Sequence, residues 1–328
     1  MTTYEELFER NYGVFDEEEQ QRLKAAKILV VGCGGVGGAV ACALARSGVG
    51  KFVLVDFDAY EPSNMNRQMG CFADTLGRNK AEVTAEQILA INPEAEVEAH
   101  PEYLPLSEIA RLMEGADLVF PAADDFAFSI MVFRQARRNR LPALLVFPSG
   151  TWANVTIIGP EGPTVEDVEG VPPLPTYEEL SAMLNTPKYR LGTYYYVPLG
   201  NWKMDYYRSY LSGEAPLAQI APVVWTAASL GALEAVKLLS GRWKPVSTPH
   251  YWTITAEGIK KNRVNAPSVQ TLLAWQRRLG YALFQGPLGR AMEKAQDLWF
   301  SRFQKRMTAR EKKRRAAKKP QRPPRLPF

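Results

Sequence analysis

The chain has 328 residues, 46% hydrophobic and 23% charged, which suits one large globular domain or a domain with an appendage. The formal charge of +5 is uneven: twelve Lys/Arg and one Glu fall from Arg302 to the C-terminus, leaving 28 basic and 34 acidic residues before them. The body is therefore mildly acidic, charge arguments for nucleic acid apply to the tail alone, and three cysteines without a C-x-x-C pair exclude a cysteine zinc knuckle and fit a reducing compartment.

The N-terminal segment is acidic and lacks an apolar h-region, so no signal peptide is expected there. The apolar runs read as too short or too interrupted to span a bilayer, and the expectation is a cytoplasmic protein. Residues 16–26 predict a polar helix, with Asp16 as N-cap and Glu19 completing a capping box. KILVV (27–31) is a strand, followed by G-x-G-G-x-G (32–37) and an Ala/Leu-rich helix to Ser47 that Gly48 ends. KFVLVD (51–56) is a second buried strand, completing a right-handed βαβ unit. Alternation continues: helix 80–91, strand 96–100, helix 106–114, strand 117–121, helix 126–140, strand 143–147. This predicts a doubly wound, Rossmann-like α/β fold with a mostly parallel sheet.

Residues 159–214 are rich in Pro, Gly and Tyr and read as a long crossover loop or lid. Regular structure resumes with a small-residue amphipathic helix over 222–239 and a closing strand over 251–255. The domains expected are a nucleotide-binding domain over 1–265, an amphipathic helical appendage over 266–307 and a disordered basic tail over 308–328.

The chemistry starts at the glycine loop. Strand, Gly32, Gly34, Gly35, Gly37, then helix gathers backbone N–H groups and a helix N-terminus around an anion. Asp56 ends the second strand, where a carboxylate accepts ribose hydroxyls. This much fits NAD(H), FAD or ATP. The next cluster, Asp58, Asn64, Arg67, Gln68 and Lys80, adds cations that a phosphoryl-handling site needs and a dehydrogenase does not. By spacing alone, Arg67 and Lys80 serve equally well as ordinary surface cations.

Together, Arg10, GCGGVGG (32–38), VDFD (55–58), NMNRQ (64–68), GRNKAE (77–82), INPEAEV (91–97), Ala123-Asp124-Asp125, SGTWANVTIIGPEG and APVVWTAASLGALEAVKLLSG (221–241) resemble the ThiF/MoeB/HesA superfamily over roughly 8–262. That superfamily holds adenylyltransferases of thiamine and molybdopterin synthesis and the ubiquitin-activating enzymes. The resemblance implies ATP on the Gly32–Gly37 loop and Asp56, with phosphates at Asn64, Arg67 and Lys80. It also implies Mg²⁺ on Asp124, and an Arg10 that reaches across a homodimer interface. Arg10, Arg67, Lys80 and Asp124 would be catalytic; Asp58 and Gln68 join the cofactor-binding set. The reaction implied is attack of a carboxylate on the α-phosphorus with loss of pyrophosphate.

Departures bear on this expectation. Residues 159–214 contain no Cys, where many members carry an acyl-accepting thiol, and the paired C-x-x-C zinc ligands are absent, so no zinc is expected. Asp125 replaces the usual Asn, and Pro121 the usual Asp three residues before Asp124. Cys71 is the one cysteine considered for reactivity, with packing preferred. The expected substrate is a ubiquitin-like or peptide C-terminal carboxylate or a small molecule. The alternatives are a tRNA-modifying ATP-dependent dehydratase or cyclase and a non-catalytic nucleotide-binding module. The appendage and basic tail would contact a partner, nucleic acid or a membrane surface.

Overall fold

The computed structural model describes residues 3–185 and 199–266. These fall in one compact unit, Met1–Ala274. The predicted helical appendage and basic tail lie outside the described residues.

Eight strands form one sheet in the order β3-β2-β1-β4-β5-β6-β7-β8. β1 (Lys27–Val31), β2 (Lys51–Val55), β3 (Glu96–His100), β4 (Leu118–Pro121) and the start of β5 (Ala143–Ser149) pair in parallel. β6 (Trp152–Ile158), β7 (His250–Thr255) and β8 (Gly258–Arg263) extend it antiparallel. The chain fills one side, β1 to β3, then returns to β4 on the other side of β1. The ends of β1 and β4 therefore splay open at a topological switch point.

The sheet is covered on both faces because its strands alternate two buried sets. Ile28, Val30, Phe52, Leu54, Phe120 and Val146 belong to one core with α3 (Gly37–Arg46) and the long helix α10 (Ala221–Ser240). Leu29, Val53, Val119 and Leu145 are buried in the intervening positions. α4 (Lys80–Ile91) packs against α3; α5 (Leu106–Leu112) packs against α6 (Phe126–Arg138), which lies on β4 and β5. α2 (Glu17–Ala25), capped reciprocally by Asp16 and Glu19 as expected, rests against α10. α1 (Tyr4–Leu7) precedes a short 3-10 turn, Glu9–Gly13.

Several expectations are corrected. Residues 159–214 are not structureless: the described part holds α7 (Val165–Glu169), α8 (Tyr177–Asn185) and α9 (Met204–Leu211). β7 does not close the sheet; β8 does. β6 is an additional strand with all seven residues buried. α10 is long and apolar enough, by length and composition, to cross a bilayer, contrary to the reading of the apolar runs. Its inward residues pack on β5, β6 and α3, and its buried Glu234 accepts hydrogen bonds from Val246 N–H and Trp252 Nε1, which marks it as a core helix here.

Candidate nucleotide site

The glycine loop folds back on itself where β1 ends. Gly32 has φ of +102°, and a Cβ there would lie 2.6 Å from the backbone of Ala122 and Ala123. A Cβ on Gly37 would lie 1.7 Å from the Gly32 carbonyl oxygen. Loop and β4 end thus meet backbone to backbone. Gly34 differs, since the nearest atom to its Cβ would be Gln68 Nε2 at 3.6 Å.

A cavity of about 190 Å³ opens at the ends of β1, β2 and β4. Its floor includes Gly32, Gly34, Asp56 and Lys80; its exposed mouth includes Phe57, Tyr103, Asp124, Asp125 and Tyr177. Asp56 Oδ2 accepts from Cys33 N–H at 2.7 Å and Oδ1 from Asp58 N–H at 2.9 Å. Burial pushes the Asp56 carboxyl above its ordinary range, against the pull of Lys80 and those N–H donors. Asn79 caps α4 and donates to the Asp56 carbonyl at 2.8 Å, which ties the helix start to the end of β2. Lys80, first in that helix, thereby reaches Asp58 Oδ2 at 2.8 Å.

Asp125 caps α6 through Phe128 N–H and accepts the Tyr177 hydroxyl at 2.7 Å. Asp124 makes no hydrogen bond or ion pair among the described residues, and no group of three or more His, Cys, Asp or Glu among them could hold a metal. One free carboxylate beside a phosphate cradle still suits Mg²⁺, which is commonly held by one or two carboxylates plus substrate phosphates. The chemistry of the lining suits ATP: Gly34 carries no side chain to block a phosphate, Lys80 would supply a cation and Asp56 a ribose acceptor.

Other expected residues stand beside this cavity rather than in its lining. Asn64 is buried and accepts Glu61 N–H at 3.1 Å within a 3-10 turn, Pro62–Asn64. Arg67 Nη1 bonds the Ser63 carbonyl and Asn66 Oδ1, its Nε is buried without a partner, and its Cγ would be 3.6 Å from a Cβ on Gly35. Gln68 is buried with Oε1 unpartnered. Arg67 and Gln68 thus back the glycine loop, each with an unpartnered polar atom, while Asn64 is tied into its own turn. Arg10 lies exposed on the turn Glu9–Gly13, outside the cavity lining.

Sequence reasoning missed the apolar part of the lining: Phe57, Tyr103 and Tyr177 at the mouth, and Leu104, Ile109 and Phe128 deeper in. Phe57 and Tyr103 follow the C-terminal ends of the parallel strands β2 and β3, the end of such a sheet at which ligands bind. Tyr177 arrives from a distant segment and carries no such signal.

All three cysteines are buried, and burial raises each thiol, Cys42 to about 11. Cys71 packs with Tyr60 and Val83, with Sγ 3.6 Å from the Glu61 carbonyl oxygen.

Residues 8–272 match the ThiF family. The chain is 33% identical over 156 residues to tRNA threonylcarbamoyladenosine dehydratase of Haemophilus influenzae, covering 47% of this chain and 60% of that protein. It is 39% identical over 113 residues to the probable adenylyltransferase/sulfurtransferase MoeZ of Mycobacterium tuberculosis, covering 34% of this chain and 29% of that one. These alignments span less than two-thirds of either relative. Among solved structures, E. coli MccB with AMPCPP and MccA matches with a TM-score of 0.60 at 23% identity, over 80% of this chain and 72% of MccB.

Proposed function

The chain belongs to the ThiF family, and from that premise we propose that it is an ATP-dependent adenylyltransferase that activates a carboxylate. The observation that carries this reading is the meeting of Gly34, Asp56, Lys80 and Asp124 around one cavity. A dehydrogenase needs no buried ammonium beside its dinucleotide; a reaction that moves charge onto pyrophosphate does. The substrate carboxylate oxygen attacks the α-phosphorus of ATP, the bond from that phosphorus to the bridging oxygen breaks, and pyrophosphate leaves. The loop N–H groups hold phosphate, Asp56 orients the ribose, and Lys80 exchanges Asp58 for phosphate oxygens. Mg²⁺ on Asp124 would supply charge neutralisation.

The adenylate passes directly to an external nucleophile, since every thiol of the chain is buried. A peptide C-terminus is the favoured substrate: MccB, whose fold this chain shares over most of its length, was solved with MccA. The second reading, adenylation leading to ring closure on a modified tRNA nucleoside, is favoured by the similarity to the dehydratase. The test is ATP–pyrophosphate exchange against peptides and against threonylcarbamoyl-modified tRNA. Exchange that needs one of these carboxylates supports activation and chooses between them. ATP binding with no exchange under either would leave a nucleotide-holding module.

Arg10, outside its own chain's cavity lining, fits service to a partner subunit's site in a homodimer. Mixing Arg10→Ala with Lys80→Ala subunits should then restore part of the activity. No recovery after demonstrated subunit exchange would place Arg10 outside the reaction or confine it to its own chain.

A further inference from the structure

The crossover segment touches the cavity at Tyr177. On either side of it, Thr176 and Glu179 cap α8 reciprocally: Glu179 N–H donates to Thr176 Oγ1 at 3.2 Å, and Thr176 N–H to Glu179 Oε2 at 3.3 Å. Arg134 of α6 anchors the same stretch, donating to the Pro175 carbonyl at 3.1 Å and to Glu166 Oε1 at 2.8 Å. α8 packs along α6. This places the Tyr177 hydroxyl at the N-terminus of α6, donating to Asp125 Oδ2 at 2.7 Å. Both Asp125 oxygens are then engaged, Oδ1 by Phe128 N–H. A carboxylate acceptor makes such a bond roughly twice as strong as a neutral pair. A phenol is protonated and able to donate at neutral pH, and this bond raises the Tyr177 pKa further above its ordinary value.

Tyr177 and Tyr103 both line the cavity from exposed positions at its mouth. The side chain therefore does two things: its ring shapes a wall, and its hydroxyl fixes where that wall stands. An aromatic wall suits a planar, partly apolar ligand group, and a fixed one lowers the ordering cost of binding. We infer that Tyr177 is a nucleotide-positioning residue, held by Asp125 as the outer wall of the cavity. This rests on reading the cavity as an ATP site. It gives Asp125 a role distinct from Asp124: one carboxylate fastens the wall, and the other stays free for the cation.

The test compares ATP binding by calorimetry in the full-length wild type, Tyr177→Phe, Tyr177→Ala and Asp125→Ser. Serine preserves the helix cap but is too short to hold Tyr177. Tyr177→Phe and Asp125→Ser should each weaken ATP binding by up to about tenfold, because the wall that the bond holds in place must then be ordered on binding. Tyr177→Ala should weaken it further, and the Phe/Ser double variant should bind no more weakly than Tyr177→Phe alone, which already removes every bond of the hydroxyl, including the one to Asp125. Amide exchange in residues 177–184 should quicken in Tyr177→Phe without nucleotide and slow when ATP is added to the wild type. Wild-type affinity and exchange in both Tyr177→Phe and Asp125→Ser would overturn the inference alone. A wild type that binds no ATP would overturn it together with the functional reading beneath it.

Discussion

Lys80 Nζ lies 2.8 Å from Asp58 Oδ2, with the lysine side chain 6% exposed and the aspartate 49%. The pair is lopsided. The ammonium has lost its water, while the carboxylate keeps much of its own, so separating them costs more on the lysine side. Asp58 therefore acts as a solvent-facing partner that can yield the ammonium to phosphate oxygens.

Substitutions at the two ends should then diverge. Lys80→Met removes the buried charge and keeps most of the packing, so stability should fall by no more than about 1 kcal/mol. Pyrophosphate exchange should fall by about 100-fold or more. Asp58→Ala leaves the ammonium buried with Asp56 as its remaining anion, and should lose about 1–3 kcal/mol. Denaturant unfolding and exchange assays on both variants check this. Equal stability losses would contradict the asymmetry.

Much of this was legible in local sequence. α4 and β3 begin and end where the sequence predicts, because Asn79 caps the one and a short run bounded by Pro93 and Pro101 defines the other. β8 (GIKKNR) escaped because an exposed edge strand needs no apolar alternation. α7 and α8 carry reciprocal caps, Thr164 with Asp167 and Thr176 with Glu179, but Pro and Gly density hid them. The cavity floor comes from a contiguous strand–loop–helix motif and was readable. Its mouth depends on where α8 docks on α6, a tertiary event that no spacing announces.

The cysteines should be dispensable for chemistry. Cys33 is 0% exposed, and Cys42 and Cys71 are each 4% exposed, so none offers an accessible thiolate. The triple Cys→Ala protein should keep exchange and product formation while losing roughly 1 kcal/mol of stability per site from lost packing. Thermal melts and both assays test the two halves separately. Exchange without product, reproduced by Cys71→Ala alone, would place the acyl group on Cys71.

Asp56 should leave a pH signature. Its folded-state pKa is raised, chiefly by burial, so the native protein keeps this proton to higher pH than the unfolded chain does. Between the unfolded value of about 4 and the higher folded value, the native state binds more protons. Stability from this group therefore falls as pH rises through that window. The stability of wild type relative to Asp56→Asn should decline across it and level off above. Urea unfolding of both proteins from about pH 3.5 to 7 reads the difference. A difference that grows with pH would mean the carboxyl is depressed instead.

The glycines of the phosphate loop should separate folding from binding. In the motif, Gly32, Gly34 and Gly37 look equivalent, but their surroundings differ. A Cβ on Gly37 would meet the Gly32 carbonyl oxygen at 1.7 Å, and one on Gly32 would meet the Ala122 and Ala123 backbone at 2.6 Å with φ at +102°. Backbone at those distances cannot give way as a side chain does, so Gly32→Ala and Gly37→Ala should melt well below wild type or fail to fold. Gly34 has no positive φ, and its Cβ would stand 3.6 Å from the Gln68 amide, ordinary contact with a movable group. Gly34→Ala should therefore fold with stability within about 1 kcal/mol of wild type, helped slightly by a less flexible unfolded chain. Yet Gly34 lines the cavity, where the loop N–H groups need close approach to an anion. The added methyl should cost about tenfold or more in ATP affinity, close to the loss of one charge-assisted hydrogen bond. Melting curves and calorimetry on the three variants give the comparison. A Gly34→Ala protein that melts like wild type and binds ATP equally well would show that the phosphates do not rest on this loop.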